Sequence, residues 1–105
     1  MKARRVIVND TSTLVADNLH YKNTVIIKNL SGTKLYPDDC VCVFLDGYEN
    51  TVSTTTGYPI GGCEVMTLGF QENSPQVPTH ETIKLYGICN TGEQAELAIL
   101  EEEWR

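Results

Sequence analysis

Apolar and polar positions alternate in short blocks along the whole chain. Apolar runs recur about every ten residues, and Gly, Pro, Asn or Asp closes each of them, as in domains built from many short strands. No run has the length and the 3.6-residue spacing of an amphipathic helix. The pattern predicts one all-β domain over residues 1–105, a compact two-sheet β-sandwich with a jelly-roll-like topology and about eight short strands.

The predicted strands cover residues 4–8, 13–16, 24–29, 34–36, 40–45, 51–56, 64–70, 83–89 and 95–100. The polar, β-branched segment 51–56 also fits an ordered loop. In the closing segment, Ala95, Leu97 and Ile99 are predicted to face the core, although its composition also suits a short helix.

Segment 40–45 carries apolar side chains at both odd and even positions, which predicts a central strand covered on both sides. Asp46 and Gly47 follow it and predict a tight turn. The longest predicted loop covers residues 71–81 and contains two prolines. Because long loops of compact domains often carry binding residues, it is a candidate contact surface.

The charge balance excludes some classes of function. The chain carries 14 acidic and 8 basic side chains, and the basic ones are scattered, which argues against nucleic-acid binding. The run Glu101-Glu102-Glu103 is predicted to be a solvated end. No apolar run reaches the length of a membrane span or follows the N-terminal arginines as a signal peptide would, so we expect synthesis in the cytoplasm and no membrane partner.

The four cysteines allow three interpretations. Cys40 and Cys42 project from the same face of a strand, and together with Cys63 and Cys89 they could form a zinc site or a disulfide. Structural zinc sites usually show two close pairs of ligands, whereas this chain has one pair and two single cysteines. Because each cysteine lies in or beside an apolar strand, we predict small apolar core residues.

No pattern of catalytic residues is found. His20 and His80 are the only histidines, and neither lies in a recognisable local motif. The glycine-rich segment 57–62 leads into a strand and lacks the Lys and Ser or Thr of a phosphate-binding loop, so it is interpreted as a turn. We therefore predict no enzyme activity and no catalytic, cofactor-binding or metal-binding residue.

The aromatic residues are the best candidates for binding. Tyr48, Tyr58 and Trp104 flank turns or the chain end, where they could anchor a protein interface or a carbohydrate. Tyrosines can equally fill a sandwich core with the hydroxyl at its rim. The complete set of interface candidates is Tyr48, Tyr58, Gln71, Pro75, Pro78, His80 and Trp104.

Three segments carry a family resemblance: the apolar strand of residues 22–29 closed by Asn, the turn Thr56-Gly57-Tyr58-Pro59-Ile60, and Leu85-Tyr86-Gly87-Ile88-Cys89 before the closing strand at 95–101. In this order and at these separations they resemble small virion structural proteins of tailed bacteriophages, of the head decoration or cement type. The resemblance covers roughly residues 5–101 of the chain.

The resemblance implies a bacteriophage structural protein that acts by assembly and has no enzyme activity. Such a protein would bind the major capsid protein on the capsid surface of the virion and stabilise the assembled head, with a homotrimer as one expected state. Two alternatives remain open: a tail, neck or fibre component, and a small carbohydrate-binding β-sandwich module.

Overall fold

The computed structural model describes residues 2–19, 23–34, 40–69 and 83–103. Within these ranges the chain forms strands, turns and irregular connections, and it contains no helix that could cross a membrane. The strands are β1 (Lys2–Val8), β2 (Thr13–Leu19), β3 (Asn23–Asn29), β4 (Val43–Asp46), β5 (Tyr58–Ile60), β6 (Val65–Gly69), β7 (Ile83–Ile88) and β8 (Ala95–Glu103).

The strands form two antiparallel sheets of four strands each. The first sheet has the order β1-β8-β3-β6, and the second has the order β2-β7-β4-β5. The first half of the chain thus pairs with the second half in reverse order: β1 with β8, β2 with β7, β3 with β6 and β4 with β5. This nested pairing, folded into two sheets, is the jelly roll. The predicted all-β sandwich is confirmed.

The core lies between the inner faces of the two sheets. Alternate residues of most strands point into it, because successive side chains of a strand lie on opposite faces. In β2 the register shifts after Leu14, and consecutive residues Val15 and Ala16 are both buried. Its most deeply buried apolar side chains are Val8, Val15, Val25, Ile27, Val43, Leu97 and Ile99. The closing segment is therefore a strand with Ala95, Leu97 and Ile99 inward, as predicted, and the helical alternative is wrong.

Three predictions about local structure are wrong. Strand β4 is central in its sheet, but a two-layer sandwich covers only one face: Val43 and Leu45 are buried, while Phe44 is half-buried and Cys40 is exposed. Segment 57–62 is not a turn throughout, because residues 58–60 form strand β5. Asp46 and Gly47 do precede a turn, in which the Thr51 amide donates to the Tyr48 carbonyl at 3.3 Å, within the ordered connection 47–57 that includes segment 51–56. The glutamate run 101–103 belongs to β8, and Glu101 and Glu102 are half-buried, so the run is not the fully solvated end that was predicted.

The connections gather at two ends of the sandwich. At one end, which we call the Asn29 end, residues 9–12, 61–64 and 89–94 connect strands, and residues 30–34 and 40–42 flank a segment outside the described residues. At the opposite end, the Tyr48 end, lies the connection 47–57. The register places the end of β6 and the start of β3 beside the end of β8.

Candidate functional site

Two of the predicted interface residues are described, and both are exposed. Tyr48 has 73% and Tyr58 has 66% of its surface exposed. Tyr48 lies just after β4 and Tyr58 begins β5, so both flank the connection 47–57 at the Tyr48 end. Their prediction as surface residues is confirmed. Gln71, Pro75, Pro78, His80 and Trp104 lie outside the described residues, as do His20 and the whole loop predicted at 71–81.

The connection 47–57 holds the tyrosines through its own hydrogen bonds. Asp46 accepts one from the Gly47 amide at 2.6 Å and one from the Thr51 hydroxyl at 2.9 Å. The amide of Val52 donates to the carbonyl of Tyr48 at 3.2 Å, and the Val52 side chain is buried. Tyr48 is therefore presented from a folded connection, which lowers the entropy cost of binding a partner.

At the Asn29 end, a buried asparagine joins the two sheets. Asn29 is fully buried, and its amide group donates to the carbonyls of Val41 at 2.8 Å and Ile60 at 2.9 Å. Its side-chain oxygen accepts from the amide and the hydroxyl of Ser31, at 3.0 and 2.8 Å. Because all of these polar groups are satisfied inside the protein, the cluster is structural.

The cysteines occupy different environments. Cys89 is buried, as predicted, but Cys40 and Cys63 are exposed and Cys42 is half-buried, so the prediction of four core cysteines is wrong. The exposed pair lies in connections at the Asn29 end, where side chains of a sandwich can reach solvent. Cys63 has a left-handed φ of 68° in the turn after β5. All four are free thiols.

Two thiols are made less acidic by their surroundings. Burial raises the pKa of Cys89 to about 11, with a further contribution from the charge of Glu93. Burial and the nearby carboxylate of Glu64 also raise the pKa of Cys42. Since the thiolate is the reactive form of cysteine, neither thiol is prepared to act as a nucleophile near neutral pH.

A groove on the outer face of the first sheet was missed by the sequence reasoning. Its volume is about 360 Å³. It is lined by Ala3, Arg4, Arg5, Ile26, Lys28, Ala98, Ile99 and Leu100. These residues come from three strands that are distant in sequence and adjacent in the sheet, which is why the basic residues looked scattered. The local signal was apolar side chains at outward-facing positions, namely Ile26 on β3 and Ala98 and Leu100 on β8.

The part of the chain that the structure describes contains no group of three His, Cys, Asp or Glu side chains placed to hold a metal ion. No known protein family, curated protein or solved structure matches the chain significantly. The candidate surfaces are therefore two: the tyrosines at the Tyr48 end and the groove on the first sheet.

Proposed function

We propose that this protein is a structural component of a tailed-bacteriophage virion that binds the assembled head and stabilises it through contacts with the major capsid protein. The observation that supports the proposal most is the strand order, since the jelly roll with these two four-stranded sheets is a fold of viral capsid domains. Because lectins and enzymes also use this fold, the strand order alone does not select this function, and the family resemblance of the three segments described above supplies the choice.

In the proposed mechanism, the protein acts only by binding to the assembled shell. A protein that binds only the assembled shell stabilises that state by mass action, without any chemical step. The rigid sandwich supplies the support, and exposed Tyr48 and Tyr58 supply side chains of the type that anchors protein interfaces. A specific contact of this kind buries about 1,000 Å² or more in total, and a homotrimer would reach that area with a small surface from each copy.

The net charge of −6 fits this location. Packaged DNA inside a particle repels an acidic protein, whereas the outer surface of the particle is compatible with its negative charge. The proposed place is therefore the capsid surface, after synthesis in the host cytoplasm.

The test is a copy number, measured by quantitative mass spectrometry of purified virus particles from the genome that encodes this chain. We expect an abundance comparable to that of the major capsid protein, because a decoration protein occupies repeated sites of the shell. A few copies per particle would instead indicate a tail, neck or fibre component. Absence from the particle would contradict the structural proposal.

A second candidate function is carbohydrate binding. It rests on the exposure of Tyr48 and Tyr58 at the same end of the sandwich, because sugar-binding sites use exposed aromatic rings and lectins also use the jelly roll. A glycan array probed with the wild-type chain and with Tyr58→Ala distinguishes this function: a glycan bound by the first and lost by the second supports it.

A further inference from the structure

The junction between β4 and the connection 47–57 places a backbone nitrogen beside a carboxyl group. Asp46 ends β4, where it lies opposite Tyr86 of β7, and Gly47 begins the connection. The amide nitrogen of Gly47 lies 2.6 Å from Oδ1 of Asp46. Because that oxygen is bonded directly to the carboxyl carbon, the nitrogen lies next to a carbon atom that it can attack.

Gly47 keeps this nitrogen accessible. A side chain on the residue after an aspartate crowds the approach of its amide nitrogen to the carboxyl carbon, and glycine has none. A Cβ built at Gly47 would have the carbonyl oxygen of Lys84 as its nearest neighbour at 3.8 Å, so the surrounding chain leaves space there. Glycine also has the backbone freedom that closing a small ring requires. Asp46 and Gly47 are both half-buried, so water reaches the junction.

We propose that Asp46 is a modification site, at which aspartate isomerises to isoaspartate in the folded protein. The Gly47 nitrogen forms a bond to the carboxyl carbon of protonated Asp46, the bond from that carbon to its hydroxyl breaks, and the hydroxyl leaves with the amide proton as water. The product is a cyclic imide. Water then opens the ring at either carbonyl carbon. Opening at the side-chain carbon restores aspartate, and opening at the main-chain carbon gives isoaspartate, so nothing is oxidised or reduced.

Isoaspartate would change how the connection 47–57 presents its tyrosine. The main chain would run through the side-chain carbons of residue 46, which lengthens the backbone at the end of β4. The new linkage would also use the carboxyl group that now accepts from the Thr51 hydroxyl at 2.9 Å. Tyr48 follows directly after Gly47, so its exposed ring would be displaced. The modification needs no partner and is therefore independent of the function proposed above.

Asp10 provides a matched control in the same chain. It is exposed, and its carboxylate accepts a hydrogen bond at 3.0 Å from the distant Gly92 amide. The next residue, Thr11, has a branched Cβ, and its amide donates to Oδ1 of Asn9 at 2.9 Å. Asp10 is thus open to water, but the nitrogen that would attack its carboxyl group is crowded and directed elsewhere.

The test follows isoaspartate in the purified full chain during incubation in mildly acidic and mildly alkaline buffers. Enzymatic methylation of isoaspartate measures its amount, and electron-transfer fragmentation of peptides identifies the residue. We expect isoaspartate to form at Asp46 about tenfold or more faster than at Asp10, because the reacting atoms are already adjacent. We also expect faster formation in the acidic buffer, because the departing hydroxyl comes from a protonated carboxyl group.

Gly47→Ala keeps Asp46 and adds one methyl group beside the attacking nitrogen. We expect this variant to form isoaspartate at residue 46 about tenfold or more slowly than the wild type. Equal rates in the two chains, or equal rates at Asp46 and Asp10 in the wild type, would overturn the proposal. The wild type in a denaturing concentration of urea shows what the fold contributes, and formation confined to that denatured chain would overturn the proposal as well.

Discussion

Burial decides what an asparagine contributes to this protein. Asn9 and Asn29 make the same local contact, in which the side-chain oxygen accepts from the amide and the hydroxyl of the residue two positions later, Thr11 or Ser31. Asn9 is exposed, whereas Asn29 is fully buried and also donates two hydrogen bonds to carbonyls across the end of the sandwich. The same local motif therefore contributes more to the free energy of unfolding at Asn29 than at Asn9.

We predict that Asn29→Ala lowers the free energy of unfolding by about 3 kcal/mol, because it leaves the buried carbonyl of Ile60 and the amide of Ser31 without these partners. Chemical denaturation with urea measures the change. The matched control is Asn9→Ala, for which we expect a loss below about 1 kcal/mol, since water replaces the lost bonds. Equal losses in the two variants would contradict the structural role assigned to Asn29.

At the scale of elements, the connection 47–57 lies against β4 because Gly57 has no side chain. A Cβ at this position would lie 2.7 Å from the carbonyl oxygen of Ser53 and 2.8 Å from Cβ of Phe44. The Gly57 amide also donates to that carbonyl at 2.9 Å. This close approach half-covers Phe44 and places Tyr48 and Tyr58 at the two ends of one connection.

We predict that Gly57→Ala destabilises the protein by about 2 kcal/mol, since neither crowded atom is the end of a flexible side chain. Gly47→Ala in the same connection is the control. The nearest atom there is the carbonyl oxygen of Lys84 at 3.8 Å, so we expect a change within about 0.5 kcal/mol. Urea midpoints of the two variants provide the comparison, and equal midpoints would contradict the close packing at Gly57.

At the scale of the whole molecule, the nested pairing makes the last strand in sequence a central strand in space. Strand β8 lies between β1 and β3, and it contributes Leu97 and Ile99 to the core. Strand β1, at the other end of the sequence, is an edge strand whose first residues, Lys2 and Ala3, are exposed. The two ends of the chain are thus unequal in their importance for folding.

We predict that deleting residues 95–105 abolishes the cooperative thermal transition, because β1 and β3 both lose their shared neighbour. Deleting residues 1–3 should preserve the transition with a Tm a few degrees lower, since only edge positions are lost. Circular dichroism melting curves test both variants. A cooperative transition in the chain without β8 would show that the first sheet does not depend on its central strand.

The sequence alone determined the class of structure and most of its strands. Alternation of apolar and polar residues is a local property with a period of two, so it identifies strands and their inward faces, as it did for Ala95, Leu97 and Ile99. Turn residues mark where strands stop. Exposure of Tyr48 and Tyr58 was also predictable, because both flank turns.

The tertiary structure alone decided strand order, the groove and the role of Asn29. Each depends on contacts between residues far apart in sequence: Lys28 and Arg5 share a surface because β8 pairs with both of their strands, and Asn29 meets the carbonyls of Val41 and Ile60 only when the sheets pack. The same reason explains the error over the cysteines and the glutamate run. A local sequence pattern does not show whether a connection covers a cysteine. It also does not show that an acidic segment such as 101–103 pairs with a neighbouring strand.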